Sequence, residues 1–528
     1  MRSWRRALLP VGVVAFCLFG QMAYGQAVDT AWVRTALGSS DSTDGGRAIA
    51  VDADGNVLVA GFQMNTGTNV DFVTLKYDPN GTLLWSETYD GPASGNDRPY
   101  AILVDAAGNS YVTGVSAGSG TLSDYTTLKY DPSGNLLWEK RYNGPGSQND
   151  SAWAMAMDGA GNILVTGMSY SPGSGYDYLT IKYNPSGDTI WTRRYNGTGS
   201  TLDGAEAIHV DGSDNVYVTG RSNGIGTFTD YLTIKYNSSG VMQWNRRYNG
   251  PGNVHDKGVA VATDASANVI VTGRSWSNTV RDDAATLKYD ASGTLLWERR
   301  FNGAADNDDY ANALAIDPFD NIIVVGAGHD TNSVNLDILA IKYDPSGNIL
   351  WQRWVDNIYN QDDIGYGVDL DTASSVYIVG HSWLASRDLT TIKYSAGGDL
   401  RWVKYIHGAG DWHDVGRAIH VDGQLSVYVT GDSWGPGDDY DIMTAKYVAL
   451  PCGCPNQGDA EPDGLVTAVD LSFIIDAVFF AGPEDQDPAC PTTRYDFNCD
   501  LVTDATDLAG WIDYVFFAGP GACDPCPL

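Results

Sequence analysis

Residues 101–144 read AILVDAAGNSYVTGVSAGSGTLSDYTTLKYDPSGNLLWEKRYNG. Four short runs stand out in this stretch: AILVD, SYVTG, YTTLKYD and LLWEKRY. Each is rich in β-branched and aromatic residues and bounded by Gly, Asn, Asp or Pro, which predicts strands. Two of the connections are tight, Asp105-Ala-Ala-Gly-Asn109 and Asp131-Pro-Ser-Gly134. Proline presets the first turn dihedral and glycine accepts a positive one, so both connections predict hairpin turns. Four antiparallel strands in one repeating unit make a propeller blade.

The unit recurs along the chain. Trp32, Trp85, Trp138, Trp191, Trp244, Trp297, Trp351 and Trp402 follow one another at steps of 53, 53, 53, 53, 53, 54 and 51 residues. A period of this length marks a tandem array whose units bury their apolar faces only by stacking on neighbours. An aspartate closes the first strand of each unit: Asp52, Asp105, Asp158, Asp211, Asp264, Asp317, Asp371 and Asp422. A Lys-Tyr pair marks each third strand, from Lys76-Tyr77 to Lys446-Tyr447. The last unit lacks a Trp strand after Tyr447, and the chain begins with a Trp strand, residues 30–37, that has nothing before it. The two defects cancel if the N-terminal strand completes the final blade, which also removes exposed sheet edges. The expectation is an all-β, eight-bladed propeller over residues 26–450, with seven blades as the alternative.

The Val-Asp-x-x-Gly-Asn-Val-x-Val-Thr-Gly and Lys-Tyr-Asp-Pro-Ser-Gly-x-x-x-Trp runs resemble the bacterial repeat family named for a seven-bladed β-propeller (SBBP repeats), over roughly residues 30–448. The family label implies seven blades, whereas the markers here count eight.

Arg2, Arg5 and Arg6 precede an apolar run from Ala7 to Gly20, followed by Ala23-Tyr24-Gly25. This pattern predicts a secretory signal peptide over residues 1–25, cleaved before Gln26, and hence a secreted or cell-surface protein. No later stretch is apolar for long enough to span a membrane. The formal net charge of −33 argues against nucleic acid and anionic membranes as partners and suits a calcium-rich exterior.

Composition shifts at Pro451-Cys452-Gly453-Cys454. Six cysteines (Cys452, Cys454, Cys490, Cys499, Cys523 and Cys526) lie beyond this point and none lies in the repeats, so in an exported chain they are read as disulfides of unassigned pairing. Within 451–528, a loop from Asp459 to Asp470 carries acidic residues at positions 1, 3, 5 and 12 with Gly464 at position 6. A second copy runs from Asp496 to Asp507. Oxygen donors at alternating positions converge on a hard cation such as calcium. Each loop runs into a helix-like stretch, LSFIIDAVFFAGP (471–483) or LAGWIDYVFFAGP (508–520). The duplicated loop and helix resemble a type I dockerin. That resemblance implies calcium held in loop one by Asp459, Glu461, Asp463, the Leu465 carbonyl and Asp470. In loop two it implies Asp496, Asn498, Asp500, the Val502 carbonyl, Asp504 and Asp507, with Leu501 in place of the turn glycine predicting a weaker site. It further implies a cohesin-like or cell-surface protein partner. Ala468-Val469 and Ala505-Thr506 stand where cellulosomal dockerins carry Ser-Thr, which argues against a cellulosome role.

Positions shared by all eight repeats are read as structural. The rings of Asp44-type residues (eight before each strand-closing Asp) and Asp71-type residues (five before each Lys) predict turn capping and Asp–Lys pairing between blades. Function is sought where copies differ. The third residue after the second strand's glycine varies, and in later blades it is Trp276, His329, Trp383 and Trp434; with Trp412 these are candidate ligand contacts on one face. Exposed aromatics stack on sugar rings or anchor protein partners, so a polysaccharide is the candidate ligand. No carboxylate pair, Ser elbow, HExxH helix or phosphate loop stands apart from the repeat, and no catalytic residue is nominated. The favoured reading is an exported non-catalytic binding, adhesion or scaffold protein. The alternatives are a secreted carbohydrate-active enzyme with a docking tail and a purely structural envelope component.

Overall fold

The computed structural model describes residues 28–449, apart from short stretches at 39–42, 67–68, 200, 278–280, 304–306, 331–334, 356–360, 385, 409, 411–412, 436–438. The signal-peptide segment, Trp412 and the whole calcium-loop module lie outside the described residues.

The chain forms eight four-stranded antiparallel sheets, so the blade number is eight and not seven. In blade 1 the strands are Gly45–Val51, Val57–Met64, Val70–Tyr77 and Leu83–Tyr89, each hydrogen-bonded to the next in chain order. The eighth sheet takes Val415–Val421, Val427–Trp434 and Tyr440–Ala449 from the end of the repeats and Val28–Ala36 from the beginning. Trp32 pairs with Lys446 and Thr30 with Tyr447 in that sheet. The first strands of successive blades lie against one another around the whole ring, and Gly45–Val51 touches both Arg98–Val104 and Val415–Val421. The terminal strand gives the eighth blade the same four strands as the others, leaving only the short outer edge that every blade has.

Second and third strands carry near-continuous apolar runs and are buried along almost their full length. Outer strands such as Leu83–Tyr89 alternate between exposed and half-buried positions. The core is therefore a set of seams between blades. Trp32, Val57, Val59, Val73, Leu75, Tyr77, Tyr428 and Ile442 form one such cluster, joining blade 8 to blade 1.

Polar groups stitch the same seams. Seven of the repeat tryptophans donate the indole N–H to a turn carbonyl in the next blade, as Trp85 does to Pro132 (3.0 Å), Trp191 to Ser238 (3.2 Å) and Trp32 to Pro79 (3.1 Å). The third-strand lysine donates to the same carbonyl, as Lys182 does to Ser238 (3.1 Å). The turn beneath needs glycine on two counts. Gly134 has φ +90, and a Cβ there would lie 2.9 Å from the Trp85 ring.

The strand-closing aspartates cap their own turns and meet the lysines of the same blade, not the Asp44- and Asp71-type rings to which the sequence assigned the lysine pairing; Asp124, Asp177, Asp230 and Asp283 of the second ring pair with arginines instead. Asp158 accepts the Ala160 and Asn162 amides and lies 2.6 Å from Lys182 Nζ. The pairing has two versions. In blades 1, 3, 5 and 6 the ion pair is direct, at 2.6–2.9 Å. In blades 2, 4, 7 and 8 a tyrosine hydroxyl donates to the aspartate (Tyr111, Tyr217, Tyr377, Tyr428; 2.9–3.0 Å). The lysine there turns over the tyrosine ring, 4.8–5.1 Å from its centre.

Candidate functional site

The loops at one end of the ring share a clamp. Each Asp44-type residue stands at the start of a first strand or just before it, and seven of them accept a backbone N–H from six residues earlier; Gly144 donates to Asp150 and Gly250 to Asp256, both at 2.6 Å. Its second oxygen accepts the backbone N–H twenty residues later, at the end of the second strand. Seven blades make this bond at 2.7–3.1 Å, to Met64, Ala117, Tyr170, Trp276, His329, Trp383 and Trp434. In blade 4, Asn223 N–H instead donates to the Leu202 carbonyl (3.1 Å). The residues held are the variable ones singled out in the sequence. The scaffold fixes their backbone and leaves the side chain unconstrained, which is how a repeat can vary a surface without altering its fold.

Burial pushes the clamp carboxyls upward in pKa, Asp44 to about 6, while the amides they accept oppose the shift. Asp150 and Asp256 move in the same direction for the same cause. The strand-closing aspartates go the other way. Burial alone would raise Asp158, but Lys182 and Asn162 hold it below the usual carboxylate range.

Trp276, Trp383 and Trp434 occupy equivalent strand ends in blades 5, 7 and 8, and each is half-buried. Each ring packs on another ring. Trp383 lies 5.6 Å from His413 and beneath Arg387 at 5.8 Å; Trp434 meets Tyr440 edge-on at 4.8 Å; Trp276 meets His255 edge-on at 6.5 Å. The loop entering blade 8 thus reaches the strand end of blade 7, as strand alternation predicts. His329 differs from the tryptophans. It is 7% exposed, with Nδ1 4.0 Å from an Asp309 oxygen, and is packed into the blade.

Two sets of residues were not singled out from sequence. Phe228, 58% exposed, lies 5.0 Å from His255 and extends the aromatic surface of blade 5 towards blade 4. Its signal was a variable loop between second and third strands. The other set sits on the inner strands, three residues past each clamp aspartate, where a β-bulge occurs in every blade. Bulges re-aim side chains, and the bulged residue differs between copies, being Arg47, Trp153, Glu206, Tyr366 and Arg417 in five of them. Counting from the aspartate would have exposed this variation.

Fold and clamp together define an eight-bladed β-propeller. No family model matches the sequence. The chain is similar to an uncharacterized WD repeat-containing protein, L264, of Acanthamoeba polyphaga mimivirus, at 20% identity over 77% of this chain and 36% of that protein. The chain thus spans about a third of the length of that curated relative. Among solved structures, it is similar to quinohemoprotein alcohol dehydrogenase ADHIIG from Pseudomonas putida HK5, with TM-score 0.49 and 12% identity over 81% of this chain and 77% of that one. It is also similar to a chain of Drosophila Plexin A in complex with Semaphorin 1b, with TM-score 0.41 and 10% identity over 81% and 88%. Among the described residues no helix is long and apolar enough to cross a membrane.

Proposed function

We propose that this protein is an exported, non-catalytic binding or adhesion protein whose propeller presents an aromatic end face to a polysaccharide. The observation that carries this reading is the clamp: the backbone is held alike in seven blades, while the side chains it presents become tryptophan in blades 5, 7 and 8. Half-buried indoles with one face supported offer flat apolar area at low entropic cost.

Residues 451–528, which resemble a dockerin, bind calcium in two loops and dock the propeller to a cohesin-like or cell-surface protein. The donor set, oxygens from Asp459, Glu461, Asp463 and Asp470 and from Asp496, Asn498, Asp500, Asp504 and Asp507, suits a hard cation. Export follows from the N-terminal pattern.

Purified protein on a polysaccharide array tests the ligand face. Retention without release of new reducing ends, lost in Trp383→Ala with Trp434→Ala, is expected. New reducing ends would move the protein to the enzyme reading. Undisturbed interactions in the double variant would leave a purely structural envelope component.

A further inference from the structure

The seam between the last and first blades carries positive charge that the repeat does not explain. Arg47 and Arg417 occupy the bulge position of blades 1 and 8, and Arg98 directly follows the clamp aspartate of blade 2. Arg47 and Arg98 both lie against Phe62, their guanidinium carbons 4.8 and 4.6 Å from the ring centre. Arg417 lies over Tyr366 at 5.0 Å. One carboxylate serves two of the three: Asp432 Oδ2 is 3.2 Å from Arg47 and 2.8 Å from Arg417. Among the described residues Arg98 has no acidic partner within ion-pair reach, though it is half-buried.

Two guanidiniums share one carboxylate and a third stacks on the same Phe62 ring as Arg47, which leaves an excess of positive charge in a chain whose formal charge is −33. The neighbourhood registers it. Burial lowers the Arg47 pKa, Asp432 opposes the shift, and the charges of Arg417 and Arg98 deepen it. His381, whose ring lies 5.7 Å from Tyr366, is pushed down to about 3 by burial and then by Arg387 and Arg417. A purely structural ion pair needs one arginine per carboxylate; here the surplus guanidiniums are stacked on aromatic rings and held ready. Their side chains keep access to solvent, 24% for Arg47 and 32% for Arg417. They also stand at the same end as the tryptophans, since Asp432 precedes Trp434 by two residues on one strand.

We propose that Arg47, Arg98 and Arg417 bind an oxyanion, a carboxylate or sulfate group carried by an acidic polysaccharide, at the axial end of the closing seam. This rests on the polysaccharide reading of the aromatic face and names the charge of its ligand. Guanidinium forks match planar oxyanions, and groups already stacked lose little freedom when the anion arrives. The overall negative charge acts against a polyanion at long range, but it is screened over about 8 Å at physiological ionic strength, whereas the site acts at contact distance.

The test uses the full-length protein with four probes: polygalacturonate, dextran sulfate, neutral dextran and sodium sulfate alone. Arg98→Gln is the decisive variant, because removing a guanidinium with no ion-pair partner strands no buried carboxylate. Retention of an acidic polymer is expected to weaken about tenfold in Arg98→Gln, the loss of one charge-assisted contact. In Asp432→Asn, which removes the competing internal carboxylate, it should tighten. Circular dichroism and melting of both variants establish that they fold. Acidic polymers that do not bind, or bind Arg98→Gln as well as the parent, overturn the proposal, as does sulfate binding without polymer binding. The two readings fail separately. Neutral dextran retained through Trp383 while acidic polymers are not leaves the aromatic reading standing alone. Acidic polymer retained equally by Trp383→Ala leaves the arginines standing and removes the tryptophans.

Discussion

The seam between blades 3 and 4 and the closing seam between blades 8 and 1 share a backbone but treat their buried carboxyls differently. In blade 3, Arg194 reaches inward from the outer strand to Asp177 (2.9 Å), the Ser169 carbonyl (2.8 Å), Ser169 Oγ (2.6 Å) and the Tyr142 hydroxyl (3.2 Å). It thereby supplies a positive charge to the buried Asp177, while Asp203, the clamp residue of the next blade, feels Asp177 and the opposing charge of Arg247. Arg141, Arg247 and Arg300 do the same in blades 2, 4 and 5. At the closing seam that position is Thr35. Burial, Asp439 and Asp44 push Asp441 up to about 7. The ring is therefore closed by strand pairing, by the Trp32 indole and by Arg34, which donates to the Gly81 carbonyl at 2.6 Å. Among the described residues no outer-strand arginine stands beside Asp441, and the arginines of this seam go to Asp432 instead. Closure rests on geometry and packing, and the carboxyls there are left to titrate.

The largest way to break this comparison is to remove a seam tryptophan. Trp32→Ala and Trp191→Ala each delete a side chain that is 6% exposed, together with its hydrogen bond to the next blade. Each should cost about 3–5 kcal/mol in urea melts. Trp32→Ala should in addition broaden the transition, because an opened ring lets blades unfold one at a time. Equal breadth in both variants would show that the terminal strand is not what makes unfolding cooperative.

Next comes the arginine itself. Arg194→Gln leaves Asp177 buried beside Asp203, and a loss of about 2–3 kcal/mol is expected, the lower end of the range for a broken buried pair because the arginine side chain is 25% exposed. The converse, Thr35→Arg, installs the missing charge beside Asp441 and should raise stability at neutral pH. Thermal melts of the two variants, moving in opposite directions, check the pair.

The closing seam also predicts a pH dependence whose sign is fixed. A carboxyl whose folded pKa is raised holds its proton more tightly when folded, so protonation favours the native state. With Asp441 at about 7 and Asp44 at about 6, stability should rise as pH falls from about 7 towards about 5. Asp52 and Asp158, held below the usual range, act oppositely: their contribution is present above the ordinary carboxylate value of 3.8 and is lost as pH falls below it. Melting temperature against pH should therefore pass through a maximum on the acid side of neutrality. Thr35→Arg should flatten the neutral limb only, and a parent profile flat from pH 7 to 5 would discredit the uncompensated Asp441.

What the sequence could reveal follows the same division. The recurrence of Trp, Asp and Lys-Tyr was enough to count eight blades and to pair Trp32 with the last repeat, because those residues serve contacts made in every copy. That an aspartate ring pairs with the lysines was legible on the same grounds, but the choice of ring was not: Lys182 meets Asp158, while Asp177 takes Arg194. The tyrosine version was not, since Tyr111 and Tyr217 alternate with Leu58 and Leu164 at one strand position and read as interchangeable core residues. The aromatic positions were visible as variation, but burial decides their use, and it divides His329 from Trp383. The cluster of Arg47, Arg98 and Arg417 was invisible in one repeat because three different blades supply it. A period reports what copies share; a site built across copies leaves no periodic trace.

The smallest effect separates the two ways of satisfying the turn aspartate. In blade 4, Tyr217 donates to Asp211 at 2.9 Å while Lys235 lies 5.1 Å from the centre of the same ring. Tyr217→Phe removes one hydrogen bond to a charged acceptor, nominally about 1–2 kcal/mol. The lysine, however, has a route back. In blade 3, where Leu164 stands in place of the tyrosine, Lys182 reaches Asp158 at 2.6 Å. Without the hydroxyl, Lys235 should swing onto Asp211 and recover most of the loss, leaving a net change below about 1 kcal/mol in a urea melt. The double variant Tyr217→Phe with Lys235→Met removes that route as well. Its cost should then exceed the sum of the two single changes, whereas simple additivity would mean that hydroxyl and lysine are independent and that the two blade versions are not exchangeable solutions to one problem.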